Sequence, residues 1–224
     1  MPKWLAIGGG LLALVGGILG TFFGFKKIKT KRYIENVPTS LSQGLAFGPA
    51  EIKGSTVLYE GDEHRVIGPL TNEKCLYYRY QITEERGSGK KKKTVIIEDR
   101  TEMVPFLCKD EEGYTRVVPF GAEFICELKK TRSSGRRTYY EWHIAENQEI
   151  YLLGSAVIEP IEGESLQMAD GDNDGFPFLI SDRTELETML KVSRAGLFRV
   201  SCGFIGIVTL VLLYFWRCLF KYES

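Results

Sequence analysis

Two apolar runs enclose a long stretch in which polar and apolar residues alternate. Positions 4–25 read WLAIGGGLLALVGGILGTFFGF, apolar or glycine except for Thr21, and positions 200–216 read VSCGFIGIVTLVLLYFW. About 20 such residues at 1.5 Å rise cross a hydrocarbon core roughly 30 Å thick, so both runs predict transmembrane α-helices. Between them the period drops to two. Residues 75–83 (CLYYRYQIT) set Leu76, Tyr78, Tyr80 and Ile82 on one face and Cys75, Tyr77, Arg79 and Gln81 on the other. Shorter runs at 50–60, 94–98, 104–108, 114–118, 122–129, 139–144 and 149–158 predict further strands between Gly, Pro and charged turns. Gly54, inside the first of these, predicts a bulge or two abutting strands. Many short strands with no helix between them predict a mainly β domain. At this size the expected form is a small antiparallel barrel like the oligonucleotide-binding fold, flanked by the two transmembrane helices.

The chain order follows from these elements. A short tail (1–3) leads to the first span (4–25), a basic juxtamembrane linker (26–43), the β-rich domain (44–160) and an acidic, glycine-rich loop (161–181). An amphipathic helix (182–199), a second span (200–216) and a tail (217–224) complete it. Asp182 is placed to cap the amphipathic helix, with Glu185 completing a capping-box pair. Gly16, Gly20 and Gly24 recur every four residues, the pattern that lets helix backbones approach closely, with Ser201, Gly203 and Gly206 as a counter-surface. Packing on this face predicts a helix pair within the chain, or a homo-oligomer.

Formal net charge is zero, so bulk electrostatics selects no partner. Its distribution is more informative. Lys26, Lys27, Lys29, Lys31 and Arg32 follow the first run, and only Lys3 precedes it. The positive-inside rule then predicts a two-pass integral membrane protein with its domain in the cytoplasm and both tails outside. The first apolar run exceeds a signal-peptide core and carries its charges on the wrong side, which argues for an uncleaved anchor. The basic cluster is placed to touch anionic headgroups. Lys90, Lys91, Lys92 and Lys93 form a second positive group on a hairpin tip, able to gain about 1 kcal/mol per charge from an anionic leaflet. Arg132, Arg136 and Arg137 form a similar tip. Nucleic-acid binding calls for a broader basic stripe and is not expected.

Candidate chemistry is sparse. Cys75, Cys108 and Cys126 are widely spaced, fitting neither a disulfide framework nor a zinc site, and suit a reducing compartment. Asp170, Asp172, Asp174 and Gly175 begin like a calcium loop, but Ser181 stands where a bidentate glutamate is required. His64 and His143 lie in no nucleophilic motif. The sequence thus predicts no catalytic, cofactor or metal residues.

Several motifs carry a family resemblance. Val37-Pro38-Thr39 is followed by Gly48-Pro49-Ala50-Glu51-Ile52-x-Gly54 and by Gly68-Pro69-Leu70-Thr71-x-x-x-Cys75-Leu76-Tyr77-Tyr78-Arg79. Val104-Pro105-Phe106-Leu107, Val117-Val118-Pro119 and Glu149-Ile150-Tyr151-Leu152-Leu153-Gly154-Ser155-Ala156 come next. In this order, and between two apolar runs, they resemble the GIDE ("beside a membrane") domain of organellar outer-membrane ubiquitin ligases and many prokaryotic proteins. The resemblance implies a domain for protein recognition or membrane sensing. In the ligases a zinc RING follows the second span. Here only Cys218 stands among residues 217–224, so the ligase activity is not expected. The resulting expectation is a membrane-anchored, non-catalytic binding or scaffold protein with a protein partner. The alternative is a ligase-like or quality-control accessory subunit that needs a partner for catalysis.

Overall fold

The computed structural model describes residues 3–59, 65–87, 89–158, 166–171 and 176–222, without the side chains of 3–14, Phe23, Lys26, Lys90, Arg199 and 209–222. The chain divides into two compact units, Asn36–Thr188 and the pair Met1–Glu35 with Met189–Ser224.

Among the described residues of the first unit, twelve strands follow in chain order. They are β1 (Gly48–Leu58), β2 (Val66–Ile67), β3 (Lys74–Arg86), β4 (Lys93–Met103), β5 (Phe106–Lys109), β6 (Tyr114–Val117), β7 (Glu123–Ile125), β8 (Leu128–Ser134), β9 (Arg137–Ala145), β10 (Glu149–Ile158), β11 (Leu166–Ala169) and β12 (Leu179–Ser181). Five of them close a barrel in the order β1-β5-β6-β11-β10, with β10 pairing back onto β1. The first four, β10-β1-β5-β6, form a Greek key, and β11 seals the ring. The expected small barrel is present, with one departure from an antiparallel ring: β6 and β11 run parallel, Val117 facing Met168. β11 must run opposite to β10, and β6 already does. Beside β11, on the edge of β10 away from β1, β12 pairs with Tyr151–Leu153, and β7 pairs in turn with β12. Inward residues fill the barrel: Ile52, Phe106, Val117, Leu152, Met168 and Ile180 are buried. Each such side chain removed from water contributes about 2 kcal/mol.

β2, β3 and β4 are inserted between barrel strands β1 and β5, and β8 and β9 between β6 and β10. The two insertions meet as a second sheet in which β9 and β8 lie on one side of β3, and β4 and β2 on the other.

β1 runs unbroken through Gly54, pairing with β10 from Gly48 to Ser55 and then with β5 from Ser55 to Leu58. The expected bulge is replaced by a close approach, because a Cβ at Gly54 would collide with the Lys109 carbonyl. The acidic loop expected at 161–181 holds β11 and β12 among its described residues. A buried carboxylate ties this unit's connectors together. Glu51, on β1, accepts hydrogen bonds from Thr39 Oγ1 (2.7 Å) and Tyr151 OH (2.8 Å). Lys53 Nζ lies 3.2 Å from Glu51 and 2.7 Å from Glu185.

The remaining elements are α1 (Lys3–Asn36) and α2 (Glu185–Tyr222). α1 continues through the basic run expected to be a linker. α2 runs without a break from the expected amphipathic segment into the second apolar run, as the helical spacing suggests. It begins at Glu185 with Thr184 as its cap: Glu187 N–H donates to Thr184 Oγ1 at 3.3 Å. Asp182 instead accepts from Glu127 N–H and binds Lys129. Within the helical unit the seam keeps Gly24 and Gly203 of the predicted surfaces and has Gly17 in place of Gly16. Among the described residues nothing lies within 4 Å of a Cβ at Gly16, whereas a Cβ at Gly17 would fall 2.9 Å from Ile207 Cγ1 and one at Gly24 2.5 Å from Val200 Cγ2. Gly196 and Gly203 answer them on α2, and Gly206 does not.

Among the described residues no helix is long and apolar enough to cross a membrane. The two transmembrane helices are therefore corrected to helices without that property. The two-pass membrane localisation and the cytoplasmic orientation of the domain rested on them and fall with them.

The Gly54 contact is open to test. Gly54→Ala should lower stability by about 1–3 kcal/mol, read from the urea unfolding midpoint, because the carbonyl it meets is backbone and cannot swing aside. An unchanged midpoint would show that β5 shifts freely.

Candidate functional site

The second sheet places its polar side chains in three groups. On one face of β3 and β9, Tyr78 stands opposite His143 and Tyr80 opposite Glu141. The turn at 68–73 folds over Glu141. It is closed by Gly68 N–H donating to Glu73 O and Asn72 N–H to Gly68 O, and Asn72 takes a positive φ of 60°. Gly68 is required there, since a Cβ would collide with Glu141 Oε1. Glu141 is fully buried, and its two oxygens accept four hydrogen bonds. Leu70 N–H (2.5 Å) and Thr71 N–H (3.1 Å) reach Oε2, while Thr71 Oγ1 (2.5 Å) and His143 Nδ1 (3.0 Å) reach Oε1. A carboxylate offers about four lone-pair sites, so this one is saturated. Burial alone would raise its pKa, but the hydrogen bonds from Thr71, Leu70 and His143 outweigh burial and hold it below the ordinary carboxylate range.

His143 is buried as well, and its Nε2 lies 3.3 Å from the exposed Glu73 carboxylate. An acid–His–acid line of this kind invites a catalytic reading, but its neighbours do not supply a nucleophile. The Cys75 thiol is pushed up to about 12 by burial, with the Glu141 charge adding to it. Tyr78 is pushed up to about 12 by burial and by its hydrogen bond to Glu102. A saturated carboxylate is also a poor base. The cluster's chemistry is that of a clamp between turn and strand.

On the opposite face, Arg79 makes two hydrogen bonds to Asp99 (2.9 and 2.6 Å), and Gln81 adds a third at 3.0 Å. The guanidinium lies 5.7 Å from the Trp142 ring, which stacks at 5.9 Å on Tyr140. These half-buried rings offer a flat surface whose one cation is already neutralised.

The third group is at the free end of the sheet. Glu84 on β3 pairs with Arg137 on β9, so the β3–β4 tip and the β8–β9 tip lie side by side. Glu84 binds Arg86 at 2.7 Å and Arg137 at 3.2 Å across the two hairpins, and Lys92 binds Glu85 at 3.1 Å. Lys91, Lys93, Arg132 and Arg136 are exposed and, among the described residues, form no ion pair. The two basic tips, far apart in sequence, thus become one positive end. The Lys90 side chain lies outside the described residues.

The other predicted positive cluster belongs to α1. Lys31 pairs with Glu35 at 3.0 Å, and Lys29 lies 5.5 Å from the Tyr33 ring. Lys27 and Arg32 are also engaged, and the Lys26 side chain is outside the description. Cys75, Cys108 and Cys126 are buried and in no disulfide. His64 and the aspartate loop at 172–174 fall outside the described residues, and among those described no group of His, Cys, Asp or Glu could hold a metal ion. Sequence reading missed Glu141 because three of its four donors come from Leu70 and Thr71, 71 and 70 positions away. A signal existed: a carboxylate between Tyr140 and Trp142, on the same side of the strand as His143. Compared with protein-family models, curated proteins and solved structures, the chain matches none.

Glu141→Gln should cost about 2 kcal/mol in urea unfolding, since an amide cannot accept all four hydrogen bonds. The sign of the pH dependence follows from depressed folded-state pKa values at Glu141 and Asp99, the latter set by Arg79. Their stabilisation is present above the unfolded range of about 4 and is lost as pH falls through the folded values. The unfolding midpoint should therefore drop below about pH 4, and less steeply in Glu141→Gln. A midpoint flat down to about pH 2 would rule this out.

Proposed function

We propose that this chain is a non-catalytic binding and scaffold protein whose second sheet meets a protein partner, the role that its resemblance to the GIDE domain implies. The positive end contacts an acidic segment of that partner. The observation that carries the reading is the convergence of the two hairpin tips, which leaves Lys91, Arg132 and Arg136 exposed toward the same end of the sheet. Nearby carboxylates are already engaged, Glu84 by two arginines and Glu85 by Lys92, so they do not cancel these three charges at close range. The clamp at Glu141 supports a scaffold role, because it spends the strand's buried carboxylate on holding the sheet. Rim charges of this kind govern encounter rate and selectivity more than affinity, and they are screened by salt.

The test is titration of a fluorescent oligo-glutamate peptide into the full chain at about 50 and about 300 mM salt. Binding should weaken about tenfold at the higher salt and about tenfold in the Lys91→Ser/Arg132→Ser/Arg136→Ser chain. Equal binding by both chains would sink the proposal. Capture of phosphatidylserine vesicles, but not of the peptide, through the same three residues would reassign the tip to lipid headgroups.

A further inference from the structure

We propose that two copies of this chain pair through β4, edge to edge and antiparallel. Among the described residues β4 hydrogen-bonds to β3 along one side only, and Lys93 to Thr101 are exposed. Val95, Ile96 and Ile97 are 38%, 56% and 37% exposed. Three β-branched residues on an unpaired edge are a template for another strand.

The charges say which strand. Lys91 to Lys93 precede the apolar triplet and Glu98 and Asp99 follow it. An antiparallel copy of the same strand therefore sets positive against negative, twice, around one two-fold axis. The bulge fixes the register. Glu98 pairs with Ile82 and Ile96 with Thr83, which leaves Ile97 as the extra residue. Lys93, Val95 and Glu98 then share one face of β4, and Thr94, Ile96 and Asp99 the other. An axis through Val95 places Lys93 of each copy opposite Glu98 of the other, face matched to face. Neither Lys93 nor Glu98 forms an ion pair among the described residues, whereas Lys92 is held by Glu85 and Asp99 by Arg79. β8, the sheet's other edge, shows the contrast. Lys129, Lys130 and Arg132 give it one sign of charge, which repels its own copy.

Sedimentation velocity on the full chain tests the pairing. The unaltered chain should dimerise, and Lys93→Glu and Glu98→Lys should each weaken the dimer about tenfold by setting like charges opposite one another. Ile96→Lys should weaken it as well. Lys93→Glu/Glu98→Lys should restore the dimer, and so should a 1:1 mixture of the two single variants, since each position then meets the opposite charge in the other copy. Positions 93 and 98 lie roughly 15 Å apart along one strand, so such a rescue cannot arise within a chain. A monomer at every concentration, or a double variant and mixture no tighter than the single variants, overturns the proposal. None of these substitutions touches Lys91, Arg132 or Arg136, so this result is independent of the peptide titration.

Discussion

Glu141 locks together two parts of the chain that the sequence keeps far apart. Its strand, β9, belongs to the insertion before β10, and the turn that wraps it belongs to the insertion after β1. An ionised carboxylate taken wholly out of water is costly unless every lone pair is satisfied. Here four donors satisfy it, and two are backbone N–H groups of one short turn. Removing either side would strand the other, a buried charge without donors or buried donors without an acceptor. The β3–β9 ladder and this clamp therefore stand or fall together, and the second sheet with them.

The two sheets solve the edge problem in opposite ways. The barrel abolishes its edges by closing β10 onto β1. The second sheet cannot close, because it is assembled from two excursions that must both return to the barrel. Among the described residues its outer strands remain open, and each is managed by its charges. Single-sign lysine and arginine guard β8, while β4 carries both signs in separate blocks around an apolar centre. The same excursions bring both hairpin tips to one end, since β3 ends where β9 begins. Binding surface in this protein is thus a by-product of how the insertions return, and it sits away from the packed barrel.

Much of the β architecture is legible in the residues. β10 has the bounds its alternation suggests, 149–158, and β3 contains the clear two-residue period of 75–83. Charge hid other parts. β4 continues through Asp99, Arg100 and Glu102, which read as a turn, because Arg79 neutralises Asp99 across the ladder and Gln81 donates a hydrogen bond to it. β11 is four residues long, beside an acidic and glycine-rich stretch, so no local period marks it; only barrel closure gives it a role. The clamp was invisible for a different reason. A buried Glu looks like any other Glu until the turn that saturates it is known, and that turn is remote in sequence. For the helices, composition alone suggested spans, and the described residues do not provide them.

The motifs on which the GIDE resemblance rests have physical tasks in this fold. Gly54 lets β1 pass the Lys109 carbonyl. Gly68 to Thr71 form the cradle of Glu141. Gly154 leaves room for the Phe178 ring, which a Cβ would approach to 2.6 Å. Glu51 holds Thr39, Lys53 and Tyr151 at the base of the barrel. Each is explained by a close approach or a satisfied buried charge, and none needs a substrate. These motif residues therefore build the barrel and its inserted sheet. Outside them, on the β4 edge and at the paired basic tips, side chains are exposed, and their charges can change without disturbing the core.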